Sequence, residues 1–145
     1  MFSTELLDVH LKTEFLGCKI NYQSETNSTN TDAWNHIDDG FEEGTIFITD
    51  NQKSGRGKRQ NKWVSTPDKS LTISFILYPK TGLDKLGLLP ILTGVSIVEG
   101  IKSSTSIQTG LKWPNDIMLN GKKLGGILIE SRTTTNGLGV VVGIG

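Results

Sequence analysis

The chain of 145 residues is long enough for one globular domain or a part of one, since most independent domains hold about 100 to 200 residues. Its hydrophobic fraction of 35% and charged fraction of 21% argue against a disordered chain, a collagen-like repeat and membrane spans. Because 15 basic side chains balance 15 acidic ones, the whole chain does not attract a polyanion, and a nucleic-acid role would need a local basic patch.

The cysteine content and the N-terminal segment set an expectation for the cellular compartment. Cys18 is the single cysteine and cannot form a disulfide within the chain. The first residues lack the basic, apolar and small-residue regions of a signal peptide. We therefore expect a soluble, cytoplasmic protein that does not contact a membrane.

The first half of the chain predicts one short helix among strands. Ser28 and Thr29 are candidate N-caps for a helix from about residue 31 to residue 37, which Asp38, Asp39 and Gly40 would end. Apolar and β-branched residues predict strands at 19–22, 44–49 and 70–78. The last has a two-residue period that predicts one buried face at Leu71, Ile73, Phe75 and Leu77.

The second half predicts a longer helix followed by hairpins. Apolar residues recur every three or four positions from residue 88 to residue 101, which predicts one buried helical face, and Pro90 is tolerated in the first turn. That face consists of Leu88, Ile91, Leu92, Val95, Val98 and Ile101. Strands are predicted at 109–113, 116–119, 124–131 and 138–144, with hairpin turns at Asn120-Gly121 and Asn136-Gly137.

This order of elements predicts an α+β domain with a mixed, largely antiparallel sheet and helices packed on it, rather than a doubly wound fold. The last predicted strand runs to Gly145 with no polar segment after it. We therefore expect the chain to be a truncated part of a longer domain.

A basic, glycine-bearing loop follows the second predicted strand, from Gln52 to Trp63. Its glycines, Gly55 and Gly57, let the backbone approach a ligand closely, and Trp63 can stack on a flat ring. The cations that suit phosphate or carboxylate groups are Arg56, Lys58 and Arg59. The spacing matches neither the P-loop nor the dinucleotide fingerprint. The loop therefore favours an anionic nucleotide, with a solvated basic loop as the alternative.

Two further segments lie on the predicted hairpins. Residues 112–116, Lys-Trp-Pro-Asn-Asp, offer an amide at Asn115 and a carboxylate for a metal ion or a basic side chain, or they form an ordinary β-turn. Lys123 leads into a strand whose small residues, Gly126 among them, could form the floor of a pocket. Lys123 would then supply the positive charge that acyl activation needs, or it would guard the edge of a hairpin.

Three short polar residues precede the first helix, at positions 28–30. Ser28, Thr29 and Asn30 could bind a polar head group such as a ureido ring, or they could cap the helix. His10 and His36 have no cysteine or carboxylate partner at the spacing of metal ligands, so we expect no protein-bound metal site.

Together and in this order, the four stretches resemble those of biotin protein ligases, over nearly the whole chain. Residues 28–30 resemble the Ser-Thr-Asn motif of that family, 55–63 its Gly-Arg-Gly adenylate loop, 112–116 its Lys-Trp-Pro-Asn-Asp turn and 123–128 its lysine-bearing strand. The resemblance implies a fold of the class II aminoacyl-tRNA synthetase and biotin synthetase type. It also implies activation of biotin with ATP, accompanied by Mg²⁺, and transfer of biotin to a lysine of a biotin carboxyl carrier protein or domain.

The same resemblance implies roles for individual residues. Lys123 and Arg56 would be catalytic. Biotin would be bound by Ser28, Thr29, Asn30, Gln52, Gly55, Arg56 and Lys123, and ATP by Lys58, Arg59, Trp63 and Asn115, with Gly57 and Gly126 allowing close approach. Many relatives carry arginine and glycine where this chain has Lys58 and Gln60. Lysine lacks the bidentate fork of arginine, so we expect an altered affinity for the nucleotide.

The resemblance also predicts which parts of the family's domains these 145 residues would contain. The pocket of the family continues past residue 145 with an asparagine-bearing turn, further helices and an SH3-like barrel, so residues 1–145 would form a partial catalytic domain. The stretch before Asn27 leaves no room for a helix-turn-helix repressor domain, so no DNA partner is expected. The oligomeric state stays open, with a homodimer as one option.

Two other functions compete with this interpretation. A lipoyl or octanoyl transferase on the same scaffold also uses a pocket lysine and modifies a carrier lysine, although the loop at 55–63 argues against it. A nucleic-acid-binding module would use the basic residues of the loop at 53–62 beside Trp63.

Overall fold

The elements below come from a computed structural model, which describes residues 11–40, 42–80, 82–135 and 137–145, without the side chains of residues 60, 83 and 84. The helices are α1 (Thr29–Asp38) and α2 (Leu89–Thr105), with 3-10 turns at Lys58–Gln60 and Leu83–Leu88. The strands are β1 (Ile20–Thr26), β2 (Ile46–Gln52), β3 (Gly55–Arg56), β4 (Lys62–Trp63), β5 (Thr72–Leu77), β6 (Gly110–Lys112), β7 (Asp116–Leu119), β8 (Lys122–Thr134) and β9 (Gly137–Ile144).

Seven of the described strands form one sheet in the order β1-β2-β5-β9-β8-β7-β6, and β3 pairs with β4 as a small separate hairpin. Within the described residues, β1 and β2 run parallel, and the other neighbours run antiparallel. This arrangement confirms the predicted α+β fold with a mixed, largely antiparallel sheet. β5 and β9 lie at the centre of the sheet, and their buried residues Ile76, Val140, Val141 and Val142 form the middle of the core.

The two helices pack on opposite faces of the sheet, as the alternation along β9 requires. Val141 belongs to a buried cluster with Ala33 and Ile37 of α1. Its neighbours Val140 and Val142 belong to a second cluster, against which α2 packs. Successive side chains of a strand point to opposite faces, so β9 carries buried residues on both. The sheet is therefore a middle layer between α1 and α2.

The buried face predicted for α2 is wrong in part. Val98 and Ile101 pack on the sheet as expected, but Leu88, Leu92 and Val95 are 53%, 60% and 51% exposed, and Ile91 is 36% exposed. The helix instead approaches the sheet around Gly94, where an added Cβ would lie 2.5 Å from Leu111. Because α2 carries apolar residues around most of its circumference, the spacing alone could not select the face that packs.

The same helix also bears on the expectation that the chain lacks membrane contact. By length and composition alone, Lys85–Thr105 could cross a membrane. Within this range, 6% of the apolar 18-residue stretch is buried. One face of the helix contacts the sheet, because Leu89 and Ile97 pack against the buried cluster of β7, β8 and β9. The absence of membrane contact stays a prediction.

The turn predicted at Asn120-Gly121 is confirmed by its backbone angles. Asn120 has φ 49° and Gly121 has φ 75°, as the favoured two-residue hairpin turns require. The other predicted turn is described only from Gly137 onwards, where β9 begins, because Asn136 lies outside the described residues.

A pair of glycine substitutions tests the role of this turn. An added Cβ would meet nothing within 4 Å at Gly121 or at Gly100 of α2, so only backbone conformation separates the two sites. We expect Gly121→Ala to lower the free energy of unfolding by about 1 kcal/mol, because φ is positive there. Gly100→Ala should raise it by about 1 kcal/mol, because alanine favours a helix. Urea unfolding measures both, and equal effects would contradict the assignment.

Candidate functional site

One cleft of about 680 Å³ brings together nearly all the residues predicted for the site. Its walls include Ser28, Thr29, Asn30, Gln52, Arg56, Gly57, Lys58, Arg59, Trp63, Asn115, Lys123 and Gly126. Gly55 lines an adjoining cavity of about 870 Å³ that shares Arg56 and much of the loop. The four sequence stretches therefore meet at one place, and both predicted catalytic cations border it.

The first wall is the N-terminal turn of α1. Ser28 occupies the N-cap position with extended backbone but makes no capping hydrogen bond through its side chain. Both the backbone N–H and the hydroxyl of Thr29 donate to Oε1 of Gln52, at 2.8 and 3.2 Å. Gln52 ends β2, so these bonds join the start of the helix to the start of the loop. The Gln52 oxygen is occupied, which leaves its NH₂ group as the free donor.

Asn30 is buried and its amide is engaged at both ends. Its Oδ1 lies 2.6 Å from the hydroxyl of Ser74, which also lies 2.7 Å from Oγ1 of Thr29. Its Nδ2 donates to Glu130 at 2.9 Å. A Cβ on Gly143 of β9 would overlap this amide, so glycine is required beside it. Asn30 therefore organises the wall of the cleft rather than offering its amide oxygen to a ligand.

Glu130 of β8 joins the helix to the basic loop. Its Oε2 accepts hydrogen bonds from Asn30 and from Nε1 of Trp34, the latter at 3.1 Å. Both of its carboxylate oxygens lie 3.2 Å from the guanidinium of Arg56, which also donates to Thr31 at 2.6 Å. Arg56 is thus held by two partners while its side chain remains 44% exposed.

The basic loop is a closed hairpin. Strands β3 and β4 pair Gly55 with Trp63, and the N–H of Gly57 donates to the carbonyl of Asn61 at 2.7 Å. Arg59 adopts φ 56° inside the turn, and both Arg59 and Lys58 are exposed. The predicted departure at Gln60 concerns a side chain outside the described residues. The hairpin holds its cations at the cleft with only a short 3-10 turn, and no α-helix, directly behind the glycines.

The start of the loop is tied to β1 by an ion pair. Nζ of Lys53 lies 2.5 Å from a carboxylate oxygen of Glu25, which also accepts from the amide of Asn51 at 3.1 Å. The hydrogen bond from Lys53 holds the pKa of Glu25 below its ordinary value, against a smaller opposing effect of desolvation. Both side chains are largely exposed, so this pair contributes little to stability.

The turn between β6 and β7 is fastened to the strand that carries the lysine. Nδ2 of Asn115 donates to the carbonyl of Ile127 at 2.9 Å, and the N–H of Ile127 donates back to the carbonyl of Asn115 at 2.9 Å. Trp113 stands beside it and is 76% exposed at the edge of the cleft. Asn115 therefore fixes the turn, a role that the resemblance alone did not imply.

Lys123 extends from β8 across the floor of the cleft. Its Nζ donates to Asp116 at 2.7 Å and lies 5.7 Å from the centroid of the Trp63 ring. A Cβ on Gly126 would come within 3.3 Å of both the Lys123 and Trp63 side chains, so the glycine leaves the space that they occupy. Of the two uses foreseen for the Asp116 carboxylate, the structure shows the contact with a basic side chain.

The cleft also contains polar atoms that no described residue satisfies. Nε1 of Trp63 and Oγ1 of Thr72 are buried and have no hydrogen-bond partner in the described part of the chain. Buried polar groups normally find partners, so both are candidates to bind a ligand. No group of three or more His, Cys, Asp or Glu that could hold a metal ion occurs among the described residues.

The sequence patterns did not predict a role at the site for Glu130, Ser74, Thr72 or Gly143. Glu130 and Ser74 each interrupt an apolar strand with a polar group, which was the available signal, because a polar side chain in such a strand usually has a specific partner. Gly143 could not be recognised, since its role depends on the position of Asn30 on another element.

The chain matches the model of the biotin/lipoate A/B protein ligase family over residues 21–145. The bifunctional ligase/repressor BirA of Bacillus spizizenii is 39% identical over 136 residues, which are 93% of this chain and 42% of that protein. The biotin-(acetyl-CoA-carboxylase) ligase of Mycobacterium tuberculosis is 30% identical over 112 residues, covering 74% of this chain and 42% of that protein.

Solved structures give the same result for the fold. The biotin protein ligase of Aquifex aeolicus, solved in complex with biotin and ATP, has a TM-score of 0.70 and 32% identity, over 88% of this chain and 52% of that one. The biotin acetyl coenzyme A carboxylase synthetase of Helicobacter pylori has a TM-score of 0.66 and 27% identity, over 88% of this chain and 59% of that one.

The chain spans about half the length of these relatives. The family match covers more than four fifths of the chain and includes every residue predicted for the site. The resemblance inferred from the four sequence stretches is confirmed, and the chain belongs to the biotin/lipoate A/B protein ligase family.

Proposed function

We propose that this chain carries the ligand-binding core of a biotin protein ligase, which activates biotin with ATP and transfers it to a lysine of a carrier domain. The observation that carries the proposal is the convergence of Arg56 and Lys123 on one cleft, which the hydrogen-bonded pair of Thr29 and Gln52 also lines. The solved relative from Aquifex aeolicus was found with biotin and ATP, which supports the same pair of ligands here.

The first step joins two anions. The biotin carboxylate attacks the α-phosphate of ATP, forming biotinyl-adenylate and releasing pyrophosphate. Arg56 and Lys123 act as catalytic residues by offsetting the repulsion between the two anions and the charge that develops on the phosphate. The polar groups of Ser28, Thr29 and Gln52 hold the ureido head of biotin, because all three line the cleft and Ser28 and Thr29 are buried there.

The nucleotide lies along the basic hairpin in this proposal. Lys58 and Arg59 are exposed cations that bind the phosphates, and the Trp63 ring stacks on a flat group. In the second step the amine of the carrier lysine attacks the mixed anhydride and displaces AMP. Lys123 stays near the phosphate and stabilises the leaving group.

Mg²⁺ belongs to the proposal as an ion bound mainly by the phosphates of ATP. Mg²⁺ is commonly held by one or two carboxylates together with substrate phosphates, and Asp116 is the carboxylate that lines the cleft. The ion would polarise the phosphate and neutralise part of its charge.

The wider context is proposed from the relatives. Residues 1–145 form part of a catalytic domain, the acceptor is a biotin carboxyl carrier domain, and the protein is cytoplasmic. Two relatives are named as ligases for acetyl-CoA carboxylase, which supports this acceptor. The lack of a DNA partner stays a prediction, since other relatives are bifunctional ligase/repressors. A homodimer also stays a prediction.

Two alternatives make different predictions. A lipoate-handling enzyme is covered by the same family name, although the similar proteins and structures named above are biotin ligases. A nucleic-acid module would use all the cations of the loop, but Lys53 is already paired with Glu25 and Arg56 with Glu130. The structure of the loop therefore weakens the second alternative more than the first.

The test is acceptor modification by the protein expressed from its full coding sequence. With ATP and biotin it should attach biotin to the lysine of a carrier domain, detected by mass spectrometry, while lipoate in place of biotin should leave the carrier unmodified. Lipoylation without biotinylation would replace the proposal with the lipoate alternative. An unmodified carrier in both reactions would reject both.

A further inference from the structure

Glu130 is the point at which three walls of the cleft are joined. It lies on β8, two residues beyond Leu128 of the cleft, and its carboxylate contacts Asn30 and Trp34 of α1 and Arg56 of the basic loop. Its side chain is 31% exposed, so these bonds are only partly screened by water. The three donors come from α1 and from the basic loop, two elements whose residues also line the cleft.

A chain of polar contacts runs from this carboxylate to Gln52. Glu130 holds the amide of Asn30, whose oxygen lies beside the hydroxyl of Ser74. That hydroxyl lies beside Thr29, and Thr29 donates to Gln52. Arg56 at one end and Gln52 at the other, both expected to contact biotin, are thus linked through side chains of which Glu130 and Ser74 do not line the cleft.

We propose that Glu130 is a positioning residue, which sets the orientation of Arg56 and of the Asn30 amide for ligand binding. The inference rests on the proposed function and adds a role that no sequence motif carried. Since Oε2 accepts from Nδ2, the amide of Asn30 must present its oxygen to Ser74. The same carboxylate retains the guanidinium of Arg56 at the cleft before any anion arrives.

Glu130 could also act only by connecting β8 to α1, which would be a purely structural role. A second connection between the same two elements, called a joint below, is therefore needed for comparison. Arg132, two residues further along β8, pairs with Asp38 at the end of α1 and lies over the Trp34 ring. This second joint links the same strand to the same helix, and neither Arg132 nor Asp38 lines the cleft. Asp38→Asn therefore weakens the joint without disturbing the loop.

Limited trypsin digestion tests the tether without reference to catalysis. To cleave the Arg56–Gly57 peptide bond, trypsin must bind the Arg56 side chain in its own specificity pocket. The contacts of Arg56 with Glu130 and Thr31 should therefore protect this peptide bond. In Glu130→Gln we expect cleavage after Arg56 to become about tenfold faster relative to cleavage after Lys58 and Arg59, because the charge partner is lost. Asp38→Asn should leave that ratio unchanged. An unchanged ratio in Glu130→Gln would show that the carboxylate does not hold Arg56.

Steady-state kinetics of biotin-dependent pyrophosphate exchange tests the consequence for the ligand, using the protein from the full coding sequence. Glu130→Gln keeps the shape and one acceptor oxygen, so folding should persist, and KM for biotin should rise about tenfold with a smaller change in kcat. Glu130→Ala, which also frees Asn30, should have the larger effect, and Asp38→Asn should leave KM within about twofold.

The outcomes separate the two proposals. Exchange in the wild type with an unchanged KM in Glu130→Gln overturns the positioning role and leaves the ligase assignment standing. A wild type without biotin-dependent exchange contradicts the ligase assignment itself, while the trypsin ratio still decides whether Glu130 holds the loop. An equal rise of KM in Asp38→Asn would assign the effect to the joint between β8 and α1 and would also overturn the proposal.

Discussion

Replacing Lys123 with alanine in the protein from the full coding sequence is expected to slow biotin-dependent pyrophosphate exchange about 100- to 1,000-fold. Loss of one preorganised group that stabilises developing charge typically has an effect of this size. The ammonium group lies over the floor of the cleft between Asp116 and Trp63, where the carboxylate and phosphate would meet. The fold should persist, because the side chain is 48% exposed and belongs to no buried cluster.

The neighbouring residue supplies the control. Lys122 is exposed, has the same charge and does not line the cleft. Lys122→Ala should leave the exchange rate within about twofold of the wild type, because successive residues of a strand point to opposite faces. Equal losses in both variants would indicate a nonspecific charge effect, and an unaltered rate in Lys123→Ala would remove Lys123 from the reaction.

Replacing Gly143 with alanine is expected to lower the free energy of unfolding by about 3 kcal/mol and to weaken biotin binding at least tenfold. The new methyl group would overlap the Asn30 amide, which is buried and hydrogen-bonded to Glu130 and Ser74. Overpacking and a broken buried hydrogen bond each have costs of about 1–3 kcal/mol. Urea unfolding and calorimetric titration with biotin measure the two effects.

Gly110 provides a matched site in another strand. It lies in β6, and an added Cβ would meet nothing within 4 Å. Gly110→Ala should change the unfolding free energy by no more than about 0.5 kcal/mol, as surface substitutions usually do. If Gly143→Ala were equally harmless, the Asn30 amide would not be fixed in the way that its contacts indicate.

Much of the fold could be predicted because the local pattern and the tertiary environment agree. Asn120-Gly121 has the backbone angles that its residue types favour, and β5 alternates as predicted. The buried face predicted for β5 is wrong, however: Thr72, Ser74 and Ile76 are buried, whereas Ile73, Phe75 and Leu77 are partly buried and Leu71 is 58% exposed, because β5 lies inside the sheet with packing on both faces. The strand ends were less predictable: β8 extends from Lys122 to Thr134, beyond the predicted 124–131, because its polar ends pair with β7 and β9.

The packing face of α2 shows where local information ends. Its apolar residues occupy more than one side of the helix, and the selected side depends on how closely Gly94 can approach Leu111 of β6. That contact is a property of two elements together. No periodicity within residues 88–101 contains it.

The candidate site divides in the same way. Arg56, Lys123, Thr29 and Gln52 could be found because their stretches have distinctive compositions and follow a known order. Glu130 and Ser74 could not be assigned, since their importance comes from joining Asn30 to residues far away in sequence. Sequence patterns thus named residues expected to touch the ligand, and the structure added those that hold them in place.

The most direct test of the central claim is a crystal structure of the protein from the full coding sequence, grown with biotin and ATP. We expect the ligands, or the biotinyl-adenylate made from them, between the Gly55–Trp63 hairpin and Lys123, with the biotin head at Thr29 and Gln52. Ligands bound at saturating concentration on any other surface, with this cleft empty, would contradict the account.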